Sequence, residues 1–178
     1  SGFRHPRLPA QRRISVKRPP PYKATAPARR FAATLRQRIA RRSARIGIIG
    51  LGYVGLPLAC LFAEKGFPVT GFDVDPKKID SLNAGKSYIR PIGSKRIGAM
   101  VRAGRLAGTA EFCGLRKMDA VIICVPTSLT RFREPDMRFV VATAETVANT
   151  LRPGQLVVLE SSTYPGTTTE LLKPILER

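Results

Sequence analysis

From residue 45 onward, short apolar runs alternate with stretches whose apolar positions recur every three or four residues. Runs near 45–50, 68–73, 106–110, 119–125 and 155–160 predict strands. Segments near 54–66, 76–84, 94–103, 136–151 and 167–178 predict helices. Ala120-Val121-Ile122-Ile123-Cys124-Val125 is apolar without a break, as expected for a parallel strand covered on both faces, and Leu156-Val157-Val158-Leu159 carries the same signal. Strand–helix alternation of this kind implies right-handed βαβ units in a doubly wound parallel sheet, an α/β fold. Asp136 is placed to cap the helix carrying Phe139, Val140, Ala144, Val147 and Leu151, and Pro153-Gly154 to end it.

The first 43 residues follow another pattern. Residues 1–30 are rich in Arg, Pro and Ala, with Pro19-Pro20-Pro21 at their centre, and bury too little apolar surface to offset their ordering entropy. They predict disorder. Phe31, Leu35 and Ile39 lie four apart and give residues 31–43 one apolar helical edge leading into the first strand. The expected organisation is a disordered basic extension over 1–32 and a folded domain over 33–178.

The junction of the first strand and helix carries the chemistry. After Ile46-Gly47-Ile48-Ile49 comes Gly50-Leu51-Gly52-Tyr53-Val54-Gly55, and then a helical pattern from Leu56. A Gly-x-Gly-x-x-Gly turn between strand and helix suits a dinucleotide. Gly50 permits the tight turn, Gly52 lets the backbone approach a pyrophosphate, and Gly55 lets the helix pack closely on the strand. The helix N-terminus presents N–H groups and partial positive charge to the phosphates. Asp73 follows Gly50 by 23 residues, at the end of the second apolar run, where a carboxylate accepts from ribose hydroxyls. That carboxylate repels a 2′-phosphate and favours NAD over NADP; Lys77 and Lys78 oppose the preference and Asp75 supports it. These features predict a Rossmann-type sheet that stops after about five strands.

Ligands in such sheets sit at the carboxyl ends of the strands. Two hydroxyl-rich segments fall there: Pro126-Thr127-Ser128-Leu129-Thr130 after the fourth strand, and Ser161-Ser162-Thr163-Tyr164-Pro165-Gly166-Thr167 after the fifth. Each is suited to hydrogen-bonding ribose, pyrophosphate or a nicotinamide amide.

Three blocks, IGIIGLGYVGLPLA at 46–59, VIICVPTSLT at 121–130 and ESSTYPGTT at 160–168, resemble the UDP-glucose/GDP-mannose dehydrogenase family of nucleotide-sugar 6-dehydrogenases. The Tyr-Pro-Gly-Thr-Thr ending is most similar to members acting on UDP-N-acetylglucosamine or UDP-N-acetylmannosamine. The resemblance implies oxidation of a UDP-sugar C6 hydroxyl to a carboxylate in two NAD-dependent steps. It assigns the pyrophosphate to Gly50, Leu51, Gly52, Tyr53, Val54 and Gly55, and the adenosine end to Asp73 and Lys78. It lines the dinucleotide with Val125, Pro126, Thr127, Ser128 and Leu129. Ser162, Thr163 and Tyr164 come beside the nicotinamide, with Thr163 also positioning groups at the reacting carbon. Ser128 departs from the proline usual there. The family's nucleophilic Gly-Gly-x-Cys block has no match, and its proton-handling Glu, Lys and Asn belong to segments beyond Arg178. The expectation is therefore a cofactor domain, dimeric in the full-length family, that binds NAD and does not turn over alone.

Composition sharpens this picture only at the N-terminus. The net charge of +19 is concentrated in residues 1–43, which hold thirteen Lys or Arg and no acid; the remainder holds eighteen basic and twelve acidic residues. An anion- or nucleic-acid-binding role through residues 1–43 is thus an alternative, although Phe3, Tyr22 and Phe31 are few aromatics for base stacking. A β-hydroxyacid dehydrogenase is the alternative within the same fold. Cys60, Cys113 and Cys124 are too scattered for a disulfide framework; Cys60 and Cys124 are expected as core residues of a reduced, cytoplasmic protein. No CxxC pair exists and the one histidine is His5, so no metal site is expected. No apolar stretch is long enough to span a bilayer, and no membrane partner is expected.

Overall fold

The computed structural model describes residues 25–90, 92–128 and 135–178. The disorder expected for 1–24, His5, and the loop positions Leu129 and Thr130 lie outside these residues. Five strands form one parallel sheet in the order β3-β2-β1-β4-β5: β1 (Ile46–Ile49), β2 (Val69–Phe72), β3 (Leu106–Thr109), β4 (Ala120–Ile123) and β5 (Leu156–Leu159). In register, Ile46 sits between Val69 and Ala120, and Ile49 between Phe72 and Ile123. The order reverses between β1 and β4, which opens a crevice at their carboxyl ends.

Alternation along each strand divides the core between two faces. Ile46, Ile48, Ala120 and Ile122 join one cluster, completed by Leu56, Ala59 and Cys60 of α2 (Gly55–Glu64), Ile79 and Leu82 of α3 (Pro76–Asn83), and Ile97 and Met100 of α4 (Ser94–Arg102). Ile49, Phe72, Val121 and Ile123 join the other, with Ala144 and Val147 of α5 (Arg138–Ala148) and Ile175 of α6 (Lys173–Leu176). Each buried Ile, Leu, Val, Met or Phe side chain among them contributes about 1.5–3 kcal/mol by leaving water. A short 3₁₀ turn over Phe112–Lys117 joins β3 to β4, and one wide helical turn, Thr168–Leu172, precedes α6.

The structure differs from the sequence-based expectation at several places. α1 spans Ala26–Ala40, so helix occupies 26–30 where disorder was expected. Its start is set locally: Thr25 Oγ1 accepts from the Ala28 N–H at 3.4 Å, and Pro27 lies in the first turn. None of its residues is buried, although the Phe31 ring lies over Gly154. β5 is only partly covered: it is the sheet edge, none of its residues is buried, and Leu156 is 42% exposed. Cys124 is not a core residue; β4 ends at Ile123, leaving Cys124 half-buried at the strand mouth. On α5, which carries Phe139 as expected, Val140, Ala144 and Val147 form the sheet-facing stripe and Phe139 is 51% exposed.

Asp136 caps α5 from one residue further out than expected, accepting from the Arg138 N–H at 3.1 Å. The helix ends at Ala148, before Pro153-Gly154, and Gly154 (φ 81°) instead turns the chain toward β5. Among the described residues, no helix is long and apolar enough to cross a membrane.

Candidate cofactor site

The turn after β1 is built by close approach. Gly50 has φ 89°, and a Cβ on it would come 2.7 Å from the Cys124 carbonyl oxygen. Only glycine combines that conformation with that contact. At Gly55 a Cβ would fall 1.8 Å from the Gly50 carbonyl oxygen, so the first residue of α2 rests directly on the turn. Gly52 is different. A Cβ there would meet nothing within 4 Å, so its missing side chain leaves open space above the turn. No side chain caps α2, and Tyr53 and Val54 are exposed at its mouth.

Asp73 is one residue past β2, only 5% exposed, and held on three sides. Its Oδ2 accepts from the Leu51 N–H at 2.7 Å and from Lys78 Nζ at 3.0 Å. Its Oδ1 accepts from the Asp75 N–H at 3.0 Å. Burial alone would raise its pKa, but the hydrogen bonds from Asp75, Leu51 and Lys78 outweigh burial and hold the carboxyl below its ordinary value. It is therefore ionised at neutral pH, with acceptor capacity beyond these three donors. Asp75 turns its own carboxylate to the Lys77 N–H at 2.9 Å and caps α3, which carries Lys78.

Tyr88 completes the frame from behind. Its hydroxyl donates to the Leu51 carbonyl at 3.0 Å, so the Leu51 residue is fixed at its N–H by Asp73 and at its C=O by Tyr88. Burial, then the Asp73 charge, raises the Tyr88 phenol well above its ordinary pKa, which keeps it a donor.

A cleft of about 520 Å³ opens over these groups. Gly50 and Gly52 form its floor, Phe72, Asp73, Val74 and Lys78 one wall, and Cys124, Val125 and Pro126 the other. Phe112 and the α5 face Phe139, Ala142, Thr143 and Thr146 close it. Of the site residues named from sequence, Gly50, Gly52, Asp73, Lys78, Val125 and Pro126 line this cleft. Leu51 and Gly55 are buried beneath it; Tyr53 and Val54 flank the turn. Thr127, Ser128, Ser162, Thr163 and Tyr164 do not line it. The loops after β4 and β5 are nonetheless joined, because Ser161 Oγ donates to the Val125 carbonyl at 2.7 Å.

Sequence reasoning missed Phe72, Val74, Phe112 and the α5 face as lining. The α5 face had a signal, since residues 139, 142, 143 and 146 follow helical spacing. Burial, then the Glu160 charge, pushes the Cys124 thiol up to about 11, so it is protonated and a poor nucleophile at neutral pH. The cleft offers what a dinucleotide needs: an open glycine, an uncapped helix start and an ionised, fixed carboxylate at the second strand end.

Comparison with known proteins agrees. Residues 44–178 match the model of the NAD-binding domain of the UDP-glucose/GDP-mannose dehydrogenase family. The chain is 40% identical over 135 residues to a UDP-N-acetyl-D-glucosamine 6-dehydrogenase of Salmonella typhi, covering 75% of this chain and 31% of that protein. It is 35% identical over 130 residues to a UDP-N-acetyl-D-mannosamine dehydrogenase of Pyrococcus horikoshii, covering 72% and 31%. The crystal structure of an NDP-N-acetyl-D-galactosaminuronic acid dehydrogenase from Methanosarcina mazei Go1 superposes with a TM-score of 0.74 at 33% identity, covering 86% of this chain and 34% of that one. The chain thus spans about a third of the length of the relatives it matches.

Proposed function

Because the chain belongs to the UDP-glucose/GDP-mannose dehydrogenase family as its NAD-binding domain, we propose that the cleft at the β1–β4 switch point holds NAD in a set pose. The pyrophosphate lies over Gly50, Gly52 and the start of α2, and the adenosine ribose hydroxyls donate to Asp73. Lys78 flanks the ribose, and Val125, Pro126, Thr127 and Ser128 follow the dinucleotide toward Ser162, Thr163 and Tyr164. The fixed, ionised Asp73 carboxylate is the observation that carries this reading. It supplies acceptors for two hydroxyls and repels a 2′-phosphate, so NAD is preferred over NADP.

Within a whole protein of the relatives' length, the domain serves oxidation of the C6 hydroxyl of a UDP-sugar, a UDP-N-acetylhexosamine, to the carboxylate. Two of the relatives are named for UDP-N-acetylhexosamines, which supports that substrate class. NAD⁺ supplies the hydride acceptor in each of the two steps. This chain's own residues bind and orient; Thr163 is assigned a positioning role at the reacting carbon. Cys60, Cys113 and Cys124 are free thiols, consistent with a reducing, cytoplasmic setting.

Calorimetric titration of the chain with NAD⁺ and NADP⁺ tests the reading. Saturable NAD⁺ binding, weakened at least tenfold in Asp73→Ala and exceeding NADP⁺ binding, is expected. Equal or tighter NADP⁺ binding would overturn the role given to Asp73.

A further inference from the structure

The sheet end opposite the cofactor cleft carries a second concavity of about 510 Å³. It lies where the chain enters β1, β4 and β5. Its lining includes Arg38, Arg45, Arg116, Lys117 and Arg152 around one carboxylate, Asp119, an excess of four positive charges.

The acid does not neutralise the surface. Asp119 is 4% exposed and lies beneath the arginines. Its Oδ1 accepts from Arg38 Nη1 at 2.6 Å and Arg152 Nη2 at 3.0 Å, and its Oδ2 from the Arg45 N–H at 2.9 Å. Arg152 is fixed further by donating to the carbonyls of Arg116 at 2.8 Å and Met118 at 2.7 Å. Two guanidinium groups are thereby held in place before any ligand arrives. Arg45, Arg116 and Lys117 are exposed and form no ion pair among the described residues. Gathering three such cations beside two fixed guanidiniums adds like-charge repulsion that the one carboxylate in the cleft, Asp119, does not fully offset. A multiply charged anion removes that repulsion, and Arg38 and Arg152, already oriented by Asp119, lose little further side-chain freedom on meeting it.

We propose that this cleft binds a compact oligophosphate, such as an inorganic polyphosphate chain or the polyphosphate of a nucleotide, as a site separate from the cofactor cleft. Its volume falls within the roughly 300–1,000 Å³ range of small-ligand pockets. Its cations converge on a concavity instead of lining an extended ridge, which favours a compact anion over a nucleic-acid duplex.

The test is calorimetric titration of the whole chain with inorganic triphosphate, with and without saturating NAD⁺. Arg116→Gln/Lys117→Gln, both exposed, is the first variant, and Arg45→Gln the second; circular dichroism checks their fold. We expect triphosphate binding at one site in the presence of NAD⁺, weakened at least tenfold in the double variant, with NAD⁺ affinity unchanged. Residues 1–24 stay intact in these variants, so the loss localises the site to the cleft. Triphosphate binding abolished by NAD⁺, or insensitive to all three substitutions, would overturn the proposal. So would tighter binding of a 20-base-pair DNA duplex that triphosphate fails to displace. Failure of NAD⁺ binding alone would count against the cofactor reading and leave this one standing, since the triphosphate arm is read independently.

Discussion

The Leu51 N–H donates to Asp73 Oδ2 at 2.7 Å, tying the glycine-rich turn after β1 to the carboxylate after β2. One hydrogen bond thus sets the spacing between the groups assigned to the pyrophosphate and to the ribose. Removing the acid disturbs both. Asp73→Ala is expected to lower NAD⁺ affinity ten- to a hundredfold, about 1.5–3 kcal/mol for lost charge-assisted hydrogen bonds. Titration calorimetry with a parallel melting curve separates that loss from unfolding.

Two of the motif glycines, Gly55 and Gly52, should fail in different ways. Gly55→Ala forces a Cβ against the Gly50 carbonyl and is expected to cost about 3 kcal/mol or more of stability. Gly52→Ala meets nothing in the fold, so its stability should stay within about 0.5 kcal/mol of the parent while NAD⁺ binding falls at least tenfold. Urea unfolding and NAD⁺ titration on the two variants check the contrast. Equal destabilisation by both would refute the assignment of Gly52 to ligand space.

Tyr88→Phe keeps the ring and removes the donor to the Leu51 carbonyl. About 1 kcal/mol of stability should be lost, with weaker NAD⁺ binding because the turn is held only through its N–H. Affinity unchanged by calorimetry, in a variant measurably less stable, would confine Tyr88 to a structural role.

Acid should weaken the fold through Asp73 and Asp119. Burial alone would raise both pKa values; hydrogen bonds overcome it, from Asp75, Leu51 and Lys78 at Asp73, and from Arg45, Arg152 and Arg38 at Asp119. Each folded pKa lies below the unfolded value of about 3.9. Their stabilisation is therefore complete above about pH 4 and disappears as pH falls through the folded values. Urea unfolding from pH 7 to pH 2.5 should show a steep loss below pH 4. Asp119→Asn should show a shallower one from a lower starting stability.

Thiol labelling offers an independent check on the strand mouth. Cys113 is exposed, Cys60 is buried, and Cys124 is half-buried with its thiol pushed up to about 11. Iodoacetamide at pH 7.5 followed by mass spectrometry should modify Cys113 first and Cys124 slowly. Rapid labelling of Cys124 would contradict the protonated state assigned to it.

Much of this was legible before any coordinates. All five strands and the principal helices follow from apolar runs and helical spacing, with ends displaced by at most three residues where fraying and caps decide. The Gly-x-Gly-x-x-Gly turn and the acid 23 residues on are local patterns; Gly50 and Gly55 have steric reasons in the structure, whereas Gly52 borders open space. Three things were not legible. The start of α1 at Ala26 lay behind a composition that suggested disorder, although Thr25 and Pro27 are a start signal. Leu156–Leu159 has the apolar run of a central strand, yet occupies an edge, because strand order is not written in any one strand's composition. Asp119 precedes a buried strand and gave no hint of its partners, which come from 81 and 33 residues away.

By itself, the sequence determined the α/β alternation, the Gly-x-Gly-x-x-Gly turn with an acid at the second strand end, and the family, since these depend on residues near one another along the chain. Tertiary structure alone decided which residues meet across it. It set Tyr88 behind Leu51, turned one face of α5 into the roof of the cleft, and brought Arg38, Arg45, Arg116, Lys117 and Arg152 around a single buried carboxylate. The physical reason is that periodicity specifies which face of an element is buried, whereas sheet order and packing choose the neighbour it is buried against.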